Sequence, residues 1–250
     1  MKKTTQLHDQ IMNIKVDSTP RDMLLTQISE KLTKKVKFSI VTPNPEIILE
    51  AQSDSELASS LNSADFSIPD GNGLKIAIKN LQIIKGREFM LDLFNLGNNN
   101  KLKVYLLGST NEVIKKSLVK INKEYKDINA KGNSGPWLDN SANPISEKDI
   151  NLNNEVIKEI NSFNPHLLFV AFGAPKQEKW ISKNIDNLKV IGIMAVGGSL
   201  DYYSGVVKSV PKLFVNLKLE WLWRLIQEPY RLKRVFNALI LFPVKLFLQN

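Results

Sequence analysis

Short apolar runs alternate with amphipathic helical stretches through most of this chain, and that alternation admits few folds. Val36–Val41, Val104–Leu107, Leu167–Phe172 and Val190–Val196 are short, apolar and partly β-branched, the mark of buried strands, and Phe66–Ile68 reads as a shorter one. Between them Glu46–Leu61, Glu112–Lys123, Asn154–Phe163 and Lys176–Asn184 carry helical periodicity. The pattern predicts an α/β fold, a Rossmann-like and mostly parallel sheet with helices on both faces. Gly132–Lys148, rich in Asn, Ser, Gly and Pro, reads as a surface loop. After Pro211 the alternation stops and the chain becomes aromatic, basic and helical. The expected division is therefore an α/β domain over 1–210 and a helical appendage over 211–250.

Composition removes several chemistries. The chain has no cysteine, which excludes disulfides, thiolate catalysis and cysteine-ligated metals. Its two histidines, His8 and His166, make a histidine-rich metal site improbable and read as structural. The net charge of +9 is uneven: seven basic residues stand against two acidic ones between Pro211 and Asn250. A patch of that kind points to a polyanion, whether nucleic acid, anionic lipid or a pyrophosphate. The N-terminal MKKTTQLHDQ lacks the apolar core of a secretory signal, and no apolar run reaches bilayer-spanning length, so a cytoplasmic protein is expected.

In an open parallel sheet, ligands gather at the carboxyl ends of the strands, and four strand ends here carry polar residues. Thr42-Pro43-Asn44-Pro45 follows the first; by itself it reads in the first place as a capped helix start. Pro69-Asp70-Gly71-Asn72-Gly73 follows the second. There Asp70 is placed to take a proton from a hydroxyl, or simply to cap the next helix. Gly173-Ala174-Pro175-Lys176-Gln177-Glu178 opens a helix whose free N–H groups suit a diphosphate, with Lys176 adding charge and Gln177 an amide. Gly197-Gly198-Ser199-Leu200-Asp201 reads as a flexible turn followed by a carboxylate. No Asp-x-Asp motif is present to clamp a metal.

These segments, with Leu107-Gly108, Glu220-Trp221-Leu222-Trp223-Arg224, Glu228-Pro229-Tyr230-Arg231 and Arg234, resemble the WecG/TagA/CpsF glycosyltransferases in order and approximate spacing, over roughly residues 10–235. The resemblance implies an inverting transferase, and with no Asp-x-Asp clamp in the sequence it is expected to be metal-independent and without a cofactor. Its donor would be a UDP-activated N-acetylhexosamine-type sugar, N-acetylmannosamine or its uronate. Its acceptor would be a polyprenyl-diphosphate-linked sugar, in the synthesis of teichoic acid or another surface polysaccharide. Carried over by motif, Asp70 is the general base, and Thr42, Asn44 and Gln177 line the sugar and phosphate pocket, with Gly173 and Lys176 beside them. Asp201 helps to hold the nucleotide. Arg224, Arg231 and Arg234 belong to an appendage that meets the inner face of the membrane and closes over the site. Some relatives self-associate, and nucleic acid is not an expected partner. The chain departs from the pattern at Ser209-Val210-Pro211, where the family has Arg-Ala-Pro. It departs again at Ile83, where many members have an arginine that Arg87 could replace; both bear on the donor sugar.

Two other classes compete. A nicotinamide-dependent oxidoreductase would suit the fold but needs a Gly-x-Gly-x-x-Gly turn, which is missing. A non-enzymatic binder of membrane or nucleic acid would explain the basic tail, but not the polar residues at the strand ends. Aromatic and basic residues interleaved after Pro211 suit an anionic membrane surface. Within that region Val235–Phe242 would lie in the head-group layer and stop at Pro243.

Overall fold

The computed structural model describes residues 7–208, 210–211, 214, 220–227 and 232–249. A hairpin of β1 (His8–Ile11) and β2 (Ile14–Asp17) comes first. Its turn residues Met12 and Asn13 both have positive φ, 50° and 63°. Two such residues match the twist of paired strands, but without a glycine the turn is hard to see in the sequence. Next come α1 (Arg21–Thr33), β3 (Phe38–Val41), α2 (Pro45–Ala51), α3 (Ser55–Ser63) and β4 (Phe66–Ser67). The chain continues through α4 (Gly86–Asn99), β5 (Lys103–Gly108), α5 (Asn111–Glu124), β6 (Asn129–Asn133) and α6 (Glu147–Phe163). It then forms β7 (Leu167–Ala171), α7 (Lys176–Asn184), β8 (Gly192–Ala195) and α8 (Ser199–Ser204).

Six strands form one parallel sheet in the order β4-β3-β8-β7-β5-β6. Alternate side chains of each strand serve opposite faces. Val104 and Leu106 pack with Phe89, Phe94 and Ile121 of α4 and α5. Tyr105 and Leu107 pack with Val156, Ile160 and Trp180 of α6 and α7. The expected parallel α/β sheet with helices on both faces is what forms.

Local expectations needed correction. The single helix expected over Glu46–Leu61 is two, because Asp54 caps α3 by accepting from the Leu57 N–H at 2.9 Å. The expected loop Gly132–Lys148 begins with the end of β6, a half-exposed strand with no apolar run to announce it, and its last residues start α6. Asp201 follows the Gly197-Gly198 turn as expected, and the residues between them already belong to a helix, α8. Pro243 does not interrupt the chain: a π-helical turn Asn237–Leu241 runs directly into the helix Phe242–Gln249, which carries Pro243 as its second residue. His8 pairs with Asp17 at 2.7 Å, and His166 Nδ1 accepts from the Lys103 N–H at 2.9 Å, so both are built into the fold.

A third apolar cluster joins the hairpin, α2 and α3 to the C-terminal helix through Phe242 and Leu246. The same stretch of chain leaves Phe236, Leu239, Ile240, Val244, Phe247 and Leu248 exposed. Among the described residues no helix is long and apolar enough to cross a membrane.

Candidate active site

Strand register brings the polar segments to one level. Val41 of β3 pairs with Ser67 of β4, Ile40 with Met194 of β8, Ala195 with Val170 of β7, and Ala171 with Gly108 of β5. The residues that follow these strands therefore emerge side by side along one edge. Backbone bonds lock neighbouring loops together: the Asp70 N–H donates to the Pro43 carbonyl at 3.0 Å, and the Ser109 N–H to the Ala171 carbonyl at 3.0 Å. Gly108 permits the second crossing. Its φ is 102°, and a Cβ there would lie 2.7 Å from the Ala171 carbonyl carbon.

On the β3–β4 side, Asn44 caps α2 by accepting from the Ile47 N–H at 2.9 Å, as expected of it. Thr42 is buried and Asp70 is half-buried. Both face Gly86, the first residue of α4: a Cβ on that glycine would lie 3.1 Å from Thr42 Cγ2 and 3.4 Å from Asp70 Oδ2. Gly71 and Gly73 let the following turn lie on Pro45. Asp70, Thr42 and the start of α4 are thus one contact group, drawn from three elements far apart in sequence.

On the β7–β8 side, Ala174–Pro175 is a cis peptide and α7 starts at Lys176. Gln177 is 2% exposed. Its Oε1 accepts from the Gly197 N–H at 2.9 Å and its Nε2 donates to Glu178 Oε1 at 2.8 Å. The amide therefore joins α7 to the β8–α8 turn. Gly173 and Lys176 are half-buried beside it. Asp201 accepts from the Ser109 hydroxyl at 2.7 Å, which ties α8 to the end of β5. Tyr202, the next residue, is 8% exposed and carries the Arg87 guanidinium 5.6 Å from its ring centroid.

The structure thus gathers Asp70, Thr42, Asn44, Gly173, Lys176, Gln177 and Asp201 along one edge. Ser109, Gly86 and Tyr202 join them although sequence reading gave them no role, and Glu178 was quoted only within a motif. The positive φ of 60° at Ser109 has no sequence signature. Ile83 packs with the third apolar cluster, so no charge stands at that position. Arg231 lies outside the described residues, as do the side chains of Arg224 and Arg234. So does Ser209 of the Ser209-Val210-Pro211 departure. No group of three or more His, Cys, Asp or Glu that could hold a metal occurs among the described residues.

A parallel α/β sheet whose carboxyl edge collects a carboxylate beside threonine, amide and cationic groups has the layout of a glycosyltransferase. The chain belongs to the glycosyl transferase WecG/TagA/CpsF family, whose model matches residues 9–250. It is 35% identical over 213 residues to a Bacillus subtilis (strain 168) N-acetylglucosaminyldiphosphoundecaprenol N-acetyl-beta-D-mannosaminyltransferase, covering 82% of this chain and 78% of that protein. It is 32% identical over 202 residues to a Staphylococcus aureus (strain MW2) protein of the same name, covering 78% and 74%. Family membership decides against the oxidoreductase and the non-enzymatic binder.

Proposed function

We propose that this enzyme transfers N-acetylmannosamine from UDP to the N-acetylglucosamine of a polyprenyl diphosphate, in the synthesis of a cell-surface polymer. The observation that carries the reading is the convergence of Asp70 and Thr42 on Gly86, the first residue of α4, in a chain whose relatives are named for that transfer. Asp70 is the general base. As the acceptor hydroxyl oxygen bonds to the anomeric carbon, its proton passes to the Asp70 carboxylate. The bond from that carbon to the β-phosphate oxygen breaks with inversion, and UDP leaves. General-base help of this kind contributes about 10²–10⁴ in rate.

UDP departs as an anion, so donors and cations must meet its phosphates. Lys176 at the start of α7 and Arg87 on α4 stand on either side of the strand ends, and Arg87 is our candidate for the cation that Ile83 does not supply. Asp201, oriented by Ser109, takes the nucleotide. Thr42 and Asn44 border the sugar, and residues 211–250 form an appendage whose Arg224, Arg231 and Arg234 close the site against water.

Docking to the inner face of the membrane brings the enzyme to its lipid acceptor. The exposed apolar residues of the C-terminal segment support this. Their helix packs on the cluster that also contains Ile83 and Ala174, the neighbours of the α4 and α7 starts. An aromatic and apolar face beside basic residues inserts into the head-group region of anionic bilayers.

The test is a transfer assay on a polyprenyl-diphosphate N-acetylglucosamine analogue with a panel of UDP-sugars. Turnover with UDP-N-acetylmannosamine above the other donors is expected. A different preferred sugar would overturn the donor assignment, and transfer from none of them would overturn the UDP reading.

A further inference from the structure

Glu178 has no part in the chemistry above, yet it is 1% exposed. The cation next to it in sequence, Lys179, is engaged elsewhere, 2.6 Å from Asp54 and 3.4 Å from Glu56 on the α3 side. The charged group that acts on Glu178 is another acid, Glu50 of α2. Burial pushes its carboxyl up to about 7; the Gln177 hydrogen bond works against that rise, and Glu50 adds to it. Its Oε2 has no hydrogen-bond partner among the described residues. A carboxyl placed this way costs free energy, and among the described residues its side chain is hydrogen-bonded by Gln177.

That hydrogen bond matters because a side-chain amide has two unlike ends. Gln177 must turn its oxygen to the Gly197 N–H; turned over, it would set N–H against N–H. The Oε1 of Glu178 accepts only from the NH₂ end, so it selects the orientation that serves Gly197. Gly197 is the second residue after β8, at φ 49°, and begins the turn into α8, which carries Asp201. We propose that Glu178 is a positioning residue for donor binding: it holds the Gln177 amide in the orientation that grips Gly197, and so sets the β8–α8 turn that presents Asp201 to the nucleotide. The inference rests on the reading of Asp201 as a nucleotide ligand.

The experiment uses the full chain, with UDP titration and donor and acceptor KM values for the wild type, Glu178→Gln, Glu178→Leu, Gln177→Ala and the Glu178→Leu/Gln177→Ala double variant. Glu178→Leu should raise the donor KM and the UDP Kd about tenfold, the order of one lost hydrogen bond, with acceptor KM unchanged. Glu178→Gln, a mimic of the protonated carboxyl, can still offer its oxygen to Gln177 and should stay within about twofold of wild type. The double variant should be no worse than Gln177→Ala alone, because the effect of one residue passes through the other. Protection of the Gly197 amide from hydrogen exchange should persist in Glu178→Gln and vanish in Gln177→Ala, and Glu178→Met replaces Glu178→Leu if the latter does not fold. Additive losses, wild-type donor affinity in a folded Glu178→Leu, or a Glu178→Gln as impaired as Glu178→Leu would each overturn the proposal. A wild type that does not bind UDP would instead sink the nucleotide reading itself, a result distinct from UDP binding that ignores position 178.

Discussion

Asp70 and Gly86 lie against each other: a methyl group on the glycine would stand 3.4 Å from Asp70 Oδ2. The same methyl would press on Thr42 Cγ2 at 3.1 Å, closer than such atoms normally sit. Alanine at 86 must therefore move Thr42 or Asp70 by a few tenths of an ångström, and valine by more. We expect kcat to fall about tenfold in Gly86→Ala and further in Gly86→Val, since small misplacements of reacting groups are costly. The melting transition should change little in Gly86→Ala. Wild-type kcat in folded Gly86→Val would show that this contact does not position the base.

Asp70→Asn keeps the shape of the carboxylate and removes its basicity. Turnover should drop about 10²–10⁴-fold while UDP affinity holds. Single-turnover assays separate the two, and near-normal turnover would remove Asp70 from the base role.

Arg87 lies over the Tyr202 ring, 5.6 Å from its centroid, beside the residue proposed to bind the nucleotide. Arg87→Ala should raise the donor KM and lower kcat together, by about tenfold or more overall. Arg87→Lys should recover part of the loss, because a point charge lacks the planar fork of arginine. Donor kinetics identical to wild type in Arg87→Ala would reject Arg87 as the replacement for the arginine missing at Ile83.

Glu178 makes stability depend on pH. Its folded carboxyl, at about 7 against an ordinary 4.5, binds its proton more tightly than in the unfolded chain. The stabilisation from that proton is complete below pH 4.5 and is lost as pH rises through about 7. Glu178→Gln removes this dependence. Relative to wild type, its melting temperature should rise between pH 5 and pH 8.5, by an amount on the order of 1–3 kcal/mol in stability. Parallel melting curves of the two proteins across that range would count against the buried, protonated carboxyl.

Phe236 and Phe247 are exposed, whereas Phe242 on the same segment is fully buried. Replacing Phe236 and Phe247 with glutamate should abolish sedimentation with anionic vesicles and leave the melting transition in place. Phe242→Glu should instead destabilise the protein by about 3–5 kcal/mol or more, comparable to emptying an aromatic core site. Unchanged vesicle binding by the first variant would place the membrane contact elsewhere.

Much of the candidate site was legible because its residues follow apolar strands. The runs ending at Val41, Phe172 and Val196 are buried on both faces, and a parallel sheet aligns their ends. β6 was missed because its residues Asn129–Asn133 are polar and half-exposed at the sheet edge. α1 and α4 were not anticipated, and the second of these closes on Asp70 through Gly86. A glycine at the start of a helix carries no sign of what it will face.

The sequence by itself determined the α/β architecture, the strand-end positions of Asp70, Gln177 and Asp201, and the reaction class. Continuous apolar runs and helical apolar periodicity are local properties, and motifs keep their order along the chain. Only the tertiary structure decided which of those residues touch. Ser109 meets Asp201 across 92 positions, and Gln177 meets Gly197 across 20. Such pairings depend on strand order and register, which arise from packing the whole sheet between its helix layers and leave no local trace in the chain.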